Sequence, residues 1–285
     1  MRPDTLSVIL RSASFIAMFQ AAGMVLFITV FGRRLEVSLP LLRRITQLSA
    51  IVAAALLVGQ YALEAARMAD DMSGIVDPSL QMLAMHSASS VVLALRLLGL
   101  VVILAAIDQG DLGIPFSVIG ATVAIGSFLF TGHTAANPLR WVLASLLIVH
   151  LTIVAFWFGA LVPLYVASTR ERPAIAGEVT NAFSRVAGWI VPGIFLAGFL
   201  LVLILVRHLA EFRLAYGISL LGKAAGFGVL MGLAALNKWR LGPAIASGDP
   251  TSLRAFRRSL VAEYLLVGAV LTVTAVMTTL FSPLP

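Results

Sequence analysis

"LRWVLASLLIVHLTIVAFWFGALVPLYVAS", residues 139–168, carries one arginine near its start and no other charged side chain. About 20 such residues, rising ~1.5 Å each as a helix, cross a ~30 Å hydrocarbon core. A charge-poor run of this length is a membrane span, and the rest of the chain repeats it. Apolar runs recur at about 6–31, 46–67, 89–107, 115–131, 139–168, 186–209, 216–236 and 261–281. These eight spans leave no stretch for a separate soluble domain. The expected fold is all-α, a polytopic membrane helical bundle of about eight transmembrane helices forming a single domain over residues 1–285. Composition agrees: 12% of residues are charged, where a soluble domain has about 25%, and the mean hydropathy is +1.01. The first run contains Arg11 and lacks a small-residue cleavage site, so it is read as a retained helix and not as a signal peptide.

Lys and Arg stay with short cytoplasmic loops. Loops 1–2, 5–6 and 7–8 hold twelve, namely Arg33, Arg34, Arg43, Arg44, Arg170, Arg172, Arg185, Lys238, Arg240, Arg254, Arg257 and Arg258. The opposite side holds five: Arg2, Arg67, Arg140, Arg207 and Arg213. Both termini are therefore expected on the outer side of the membrane. Loop 3–4 runs against the pattern with Asp108 and Asp111, although acids weigh little in this rule. The net charge of +7 fits anchoring to anionic lipid, and no soluble basic surface studded with aromatics suggests nucleic acid as a partner.

There is no cysteine, so soft-metal chemistry must come from Met and His. The outer 2–3 loop, "RMADDMSGIVDPSLQMLAMHSA" (67–88), gathers Met68, Met72, Met82, Met85 and His86 with Asp70, Asp71 and Asp77. Thioether and imidazole ligands suit Cu(I), and Met82, Met85 and His86 converge if that part is helical. The alternative is that the methionines pack an interfacial helix.

Ionisable groups inside spans are functional candidates until a partner accounts for them. Gln60 and Glu64 lie four residues apart on one face of span 2, with Met68 continuing the line outward. Arg11, Arg96 and Lys223 fall at a similar depth, which suggests one buried network. In that case Glu64 either pairs with Arg96 or Arg11 to hold helices together, or lines a polar path from outside. His133 lies at the outer mouth after span 4. Asn137-Pro138 looks like a helix start, which puts His150 roughly 18 Å inward, near the midplane, on a face with Leu147, Val154 and Trp157. The bland alternative for His150 is a hydrogen bond to a neighbouring helix. His208, beside Arg207, reads as an interface residue. HExxH, Walker, Rossmann and Ser-His-acid patterns are absent, so no enzyme is expected, and the glycines of "LGKAAGFGVLMGLAAL" (221–236) suit close helix packing.

Gly132-His133 with Ala136, then His150, then Trp157-Phe158-Gly159-Ala160-Leu161 resemble the CopD copper-resistance family. So do Lys223, Asn237, Arg240 and Pro243 in "YGISLLGKAAGFGVLMGLAALNKWRLGPAI" (216–245) and Glu263 in "RRSLVAEYLLVGAVLTVTA" (257–275). The resemblance covers about 115–281, and the N-terminal third joins it mainly through hydropathy, Arg11 and Arg96. The pattern departs at Leu147, where many members carry an acid, and at Ala160, where they carry a second glycine. The resemblance implies copper movement across the inner membrane, commonly periplasm to cytoplasm, with a separate periplasmic copper-binding protein as donor. Taken with the residue reading above, the expected metal ligands are His133, His150, His86, Met82, Met85, Glu64 and Met68. Two other readings stay open: a redox protein in which histidines ligate haem b beside a quinone, and an inert docking partner for a periplasmic copper chaperone.

Overall fold

The charge-poor run forms one helix in a computed structural model, which describes residues 3–130, 138–205, 215–245 and 249–280. In chain order the helices are α1 (Pro3–Phe31), α2 (Leu39–Ala69), α3 (Pro78–Met85), α4 (Ala88–Ala106), α5 (Gly110–Gly126), α6 (Arg140–Arg170), α7 (Pro173–Leu205), α8 (Ala215–Leu236), α9 (Gly242–Ile245) and α10 (Pro250–Leu280). A π-helical turn, Asn237–Leu241, joins α8 to α9. Among the described residues there is no strand. Eight helices are long and apolar enough to cross a bilayer, all of these except α3 and α9. The protein is a multi-pass membrane protein.

The helix ends differ from the apolar runs. α2, α7 and α10 begin roughly two to four turns before their hydrophobic stretches. Hydropathy reports where the apolar surface lies, whereas the helix continues while its backbone bonds do, and of the arginines on these extensions Arg44, Arg185, Arg254 and Arg258 are exposed to water while Arg257 turns to Ser168. At α6 the difference is reversed: Pro138 and Leu139 form a turn and the helix starts at Arg140. Asn137 lies outside the described residues.

α1 is the centre of the bundle, packed against α2, α5, α6 and α10. Its most apolar window is 78% buried, against 6% for α8, although both would satisfy a hydropathy scan. Met18, Phe19, Met24 and Phe27 fill its inner faces. The crossing with α6 depends on two glycines. A Cβ on Gly23 would stand 1.8 Å from the Ala155 carbonyl oxygen, and one on Gly159 would stand 2.2 Å from the Gly23 carbonyl carbon. The expectation that the α8 glycines serve close packing holds for Gly226, whose Cβ would stand 3.3 Å from Val270 of α10, and is corrected for Gly222, Gly228 and Gly232, which meet open space. Small residues permit close approach, but only a facing helix uses it.

Polar contacts sort the loops into two ends. At one end Arg172 pairs with Glu36 at 2.9 Å, Arg34 with Glu178 at 3.6 Å and Arg33 with Asp111 at 3.4 Å, while Gln47 donates to Asp108 at 2.6 Å. Loop 3–4 thus keeps company with the arginine-rich loops, and its acids are their partners. At the other end Arg67 pairs with Asp4 at 2.9 Å and donates to the Thr279 carbonyl at 3.4 Å, so α1 starts where α10 finishes.

One buried carboxylate ties the arginine-rich end together. Glu171, after α6, accepts from the backbone amides of Val37 at 2.9 Å and Ser38 at 2.7 Å where the chain enters α2. Burial pushes its carboxyl up, but those amide bonds outweigh burial and hold it below the usual carboxylate range.

Candidate functional site

The 2–3 loop is built by its own acids. α2 ends at Asp70 in the left-handed region, at φ 53°. Asp71 then caps the short turn Met72–Val76 through the Ser73 amide, and Asp77 caps α3 through the amides of Ser79 at 2.8 Å and Leu80 at 3.4 Å. The Ser79 hydroxyl and these amides hold the Asp77 carboxyl below its ordinary value. These carboxylates shape the loop, each through one oxygen: Asp71 by Oδ2 and Asp77 by Oδ1.

On that platform Met82 and Met85 are exposed, at 61% and 65%. His86 follows at the end of α3, one turn after Met82, and its Nδ1 lies 2.8 Å from the Met82 carbonyl oxygen. In the tautomer with Nδ1 protonated, that bond orients the ring and leaves Nε2 as the nitrogen for a metal, the usual arrangement of a ligating histidine. Met68 is also exposed, in the last turn of α2. Four of the seven expected ligands therefore belong to one end of the molecule.

Of the network expected around Glu64, Arg11, Gln60, Glu64 and Arg96 stay within reach of one another, and Lys223 lies apart. Arg96 is buried, its guanidinium 4.5 Å from the centre of the Phe128 ring and 5.8 Å from that of Phe15, and its Nε donates to Ser127 Oγ at 3.1 Å. Arg11 donates to the Thr278 carbonyl at 3.0 Å. The Gln60 amide lies between Ser14 and Arg11, and with its oxygen turned to Arg11 it accepts from Nη2 at 3.2 Å and Nε at 3.1 Å. Glu64 is half-buried and acts on Arg11 through space, without a salt bridge among the described residues. Gln60 takes the direct contact that was expected of Glu64, because it sits one turn closer to Arg11 along α2.

His150 faces α7. Its Nδ1 is 3.4 Å from the Ile194 carbonyl oxygen, and its ring lies against Gly198. Lys223 of α8 approaches closely enough for its charge to act on the imidazole. Lys223 is therefore set apart from Arg11 and Arg96 and belongs with His150. His133 and His208 lie outside the described residues. Among the described residues no three His, Asp or Glu side chains gather as a metal site.

The most enclosed polar cluster is elsewhere. Glu263 of α10 is 2% exposed, and its oxygens accept from Trp157 Nε1 of α6 at 3.4 Å and from Asn237 Nδ2 in the π turn. In the sequence Glu263 stands out only through the family resemblance, just inside the last apolar run. The real start of α10 at Pro250 places it well inside the helix, and its partners are remote in sequence.

Two family models match, one on each half. "Copper resistance protein D-like, N-terminal domain" covers residues 2–141 and "Copper resistance protein D" covers 177–277. The chain belongs to the copper resistance protein D family. The matches extend well beyond the region 115–281 that carries the sequence resemblance. A curated relative, "Copper resistance protein D" of Pseudomonas syringae pv. tomato, is 33% identical over 132 residues, which is 43% of this chain and 43% of that relative. The match thus spans less than half the length of that relative. No solved structure matches the chain. Within the family match, Lys223, Asn237 and Glu263 fall under the C-terminal model, and Arg11, Gln60, Glu64 and the α3 ligands under the N-terminal one.

Proposed function

We propose that this chain moves copper across a bacterial inner membrane, from periplasm to cytoplasm, in copper resistance. The match of both family models onto one eight-span bundle carries the reading. The chemistry of the α3 end supports it: exposed Met82, Met85 and Met68 beside an oriented His86 suit capture of Cu(I), which prefers soft ligands. That end takes the periplasmic side because the arginine-rich loops lie at the other. A separate periplasmic copper-binding protein delivers the ion, His133 receives it at the mouth, and His150, with Glu64 and Gln60 nearer the outside, carries it inward. Weak sites of low coordination number let the ion leave each stop.

The test is copper accumulation in cells carrying His133→Ala, His150→Ala or the triple change Met82→Ala/Met85→Ala/His86→Ala. Each should cut accumulation severalfold at equal membrane protein level. Wild-type accumulation in all three would overturn the proposal. A purified sample also settles the haem reading, since haem ligation gives a Soret band and copper transport gives none.

A further inference from the structure

Between α6 and α10 runs a groove of about 220 Å³, lined by Leu161 and Tyr165 of the one and Leu260, Val261, Tyr264 and Leu265 of the other. Leu161 and Leu260 are its floor, whereas Tyr165, Val261 and Leu265 stand open at 39%, 47% and 66%. These residues belong to the apolar stretches of two spans, so the groove opens sideways onto lipid. One turn toward the arginine-rich end its chemistry changes. Arg257 and Arg258 precede Leu260 and Val261 by three residues, and Ser168 follows Tyr165 by three. Arg257 reaches across: its Nε donates to Ser168 Oγ at 3.1 Å and its Nη2 to the Ser168 carbonyl, which closes that end of the groove. Arg258 is exposed and, like Arg170 at the end of α6, has no acid partner among the described residues. The other ion-paired arginines of this end are matched elsewhere, Arg172 to Glu36, Arg34 to Glu178 and Arg33 to Asp111. The nearby acids are turned away: Glu171 accepts from the Val37 and Ser38 amides, Asp249 from the Ser252 amide at 2.7 Å with Arg254 acting on it, and Glu263 from Trp157 and Asn237.

An apolar slot that ends in unmatched guanidinium groups suits a ligand with a hydrocarbon chain joined to an anion. The depth fits as well. The apolar run of α10 begins at about 261 and that of α6 ends at about 168, so Arg257 and Arg258 lie at the edge of the hydrocarbon, where phospholipid phosphates sit. Guanidinium groups bind phosphate through paired N–H donors. We propose that this groove is a binding site for one anionic phospholipid of the leaflet at the arginine-rich end, with an acyl chain along Leu161, Tyr165, Val261 and Leu265 and the phosphate on Arg257 and Arg258. A zwitterionic lipid fits less well, because its ammonium group would find no acid at that end of the groove. The bound lipid would bridge α6 and α10, and the site stands whether or not the protein moves copper.

Photocrosslinking of the full chain in phosphatidylcholine vesicles tests the site. A trace of phosphatidylglycerol or of phosphatidylcholine, each with a diazirine in one acyl chain, is activated by light and its adducts are mapped by peptide mass spectrometry. Phosphatidylglycerol should label 161–165 and 260–265 severalfold more than phosphatidylcholine does. Arg258→Gln should lower that labelling about fivefold, the weight of one arginine at an anionic headgroup. Arg33→Gln removes an equal charge at the same end, from the pair with Asp111 of α5, and should leave it unchanged. Both side chains are exposed, so neither change disturbs the core. Val261→Trp fills the slot from a half-exposed position and should abolish the adducts within it. Equal labelling by the two lipids would overturn the proposal by showing an ordinary lipid-facing surface. An equal loss in Arg33→Gln and Arg258→Gln would overturn it by showing only the general pull of a positive end. Inorganic phosphate should not displace the label; displacement would mean that the arginines hold a free anion and that the groove is no lipid seat.

Discussion

Glu171 and Arg96 are both buried charges, held by opposite means. Glu171 is solvated by backbone amides at the entry to α2, so its carboxyl sits below the ordinary value of about 4.3 in the folded state. A lowered folded value means that the stabilisation is complete above the ordinary carboxylate value and is lost as pH falls through the folded one. Glu171→Gln should lower the apparent Tm at pH 7 by the equivalent of about 1–3 kcal/mol, and its stability should fall less than that of wild type on acidification. Thermal scans of detergent-purified protein across acid pH check both. Arg96 depends on shape, its flat guanidinium lying over Phe128. Arg96→Lys keeps the charge but loses the stacking and the Nε bond to Ser127, and should cost about 1–2 kcal/mol in the same scans. A lysine variant as stable as wild type would show that charge alone is needed. Neither role was visible in the sequence. Arg96 stood out as an odd cation in an apolar run, but Phe15 and Phe128 come from other helices, and Glu171 sat in a loop that reads as solvent.

Among the elements, the α1–α6 crossing is one of the two closest described approaches of one helix backbone to another. Gly23→Val would drive methyl groups into the Ala155 carbonyl, and the backbones must separate to admit them. Overpacking of this kind costs about 1–3 kcal/mol or more, so folded yield should drop, whereas Gly228→Val on α8 should be tolerated. Size-exclusion yields of the two variants decide this, and equal loss would mean that α8 has a close neighbour after all. The spans themselves were legible because twenty apolar residues have only one use in a chain. Which glycines matter was not, because hydropathy is the same whether a face meets lipid or another helix. For the site, the α3 ligands were legible as a cluster close in sequence. Glu263 was not, since Trp157 and Asn237 reach it from residues 106 and 26 positions away.

At the scale of the whole molecule, the two ends differ in chemistry: arginine-rich loops with their acids at one, the α3 thioethers and the start of α1 at the other. The absence of native cysteine makes orientation directly measurable. Asp4→Cys and Ser79→Cys should react with a membrane-impermeant maleimide in intact spheroplasts, and Glu36→Cys and Asp249→Cys only after permeabilisation. The reverse pattern would invert the direction of transport proposed for the protein.

The central place of α1 has a bearing on biosynthesis. It emerges from the ribosome before every helix it packs against, and its crossing partner Gly159 is made only after three further spans. Until α6 arrives, a face shaped for close helix contact, carrying Gln20 and Arg11, must wait in lipid or against the insertion machinery. Chains stalled or truncated before α6 should therefore be substrates for membrane quality control, and the half-life of such fragments would time the moment at which the bundle closes around its first helix.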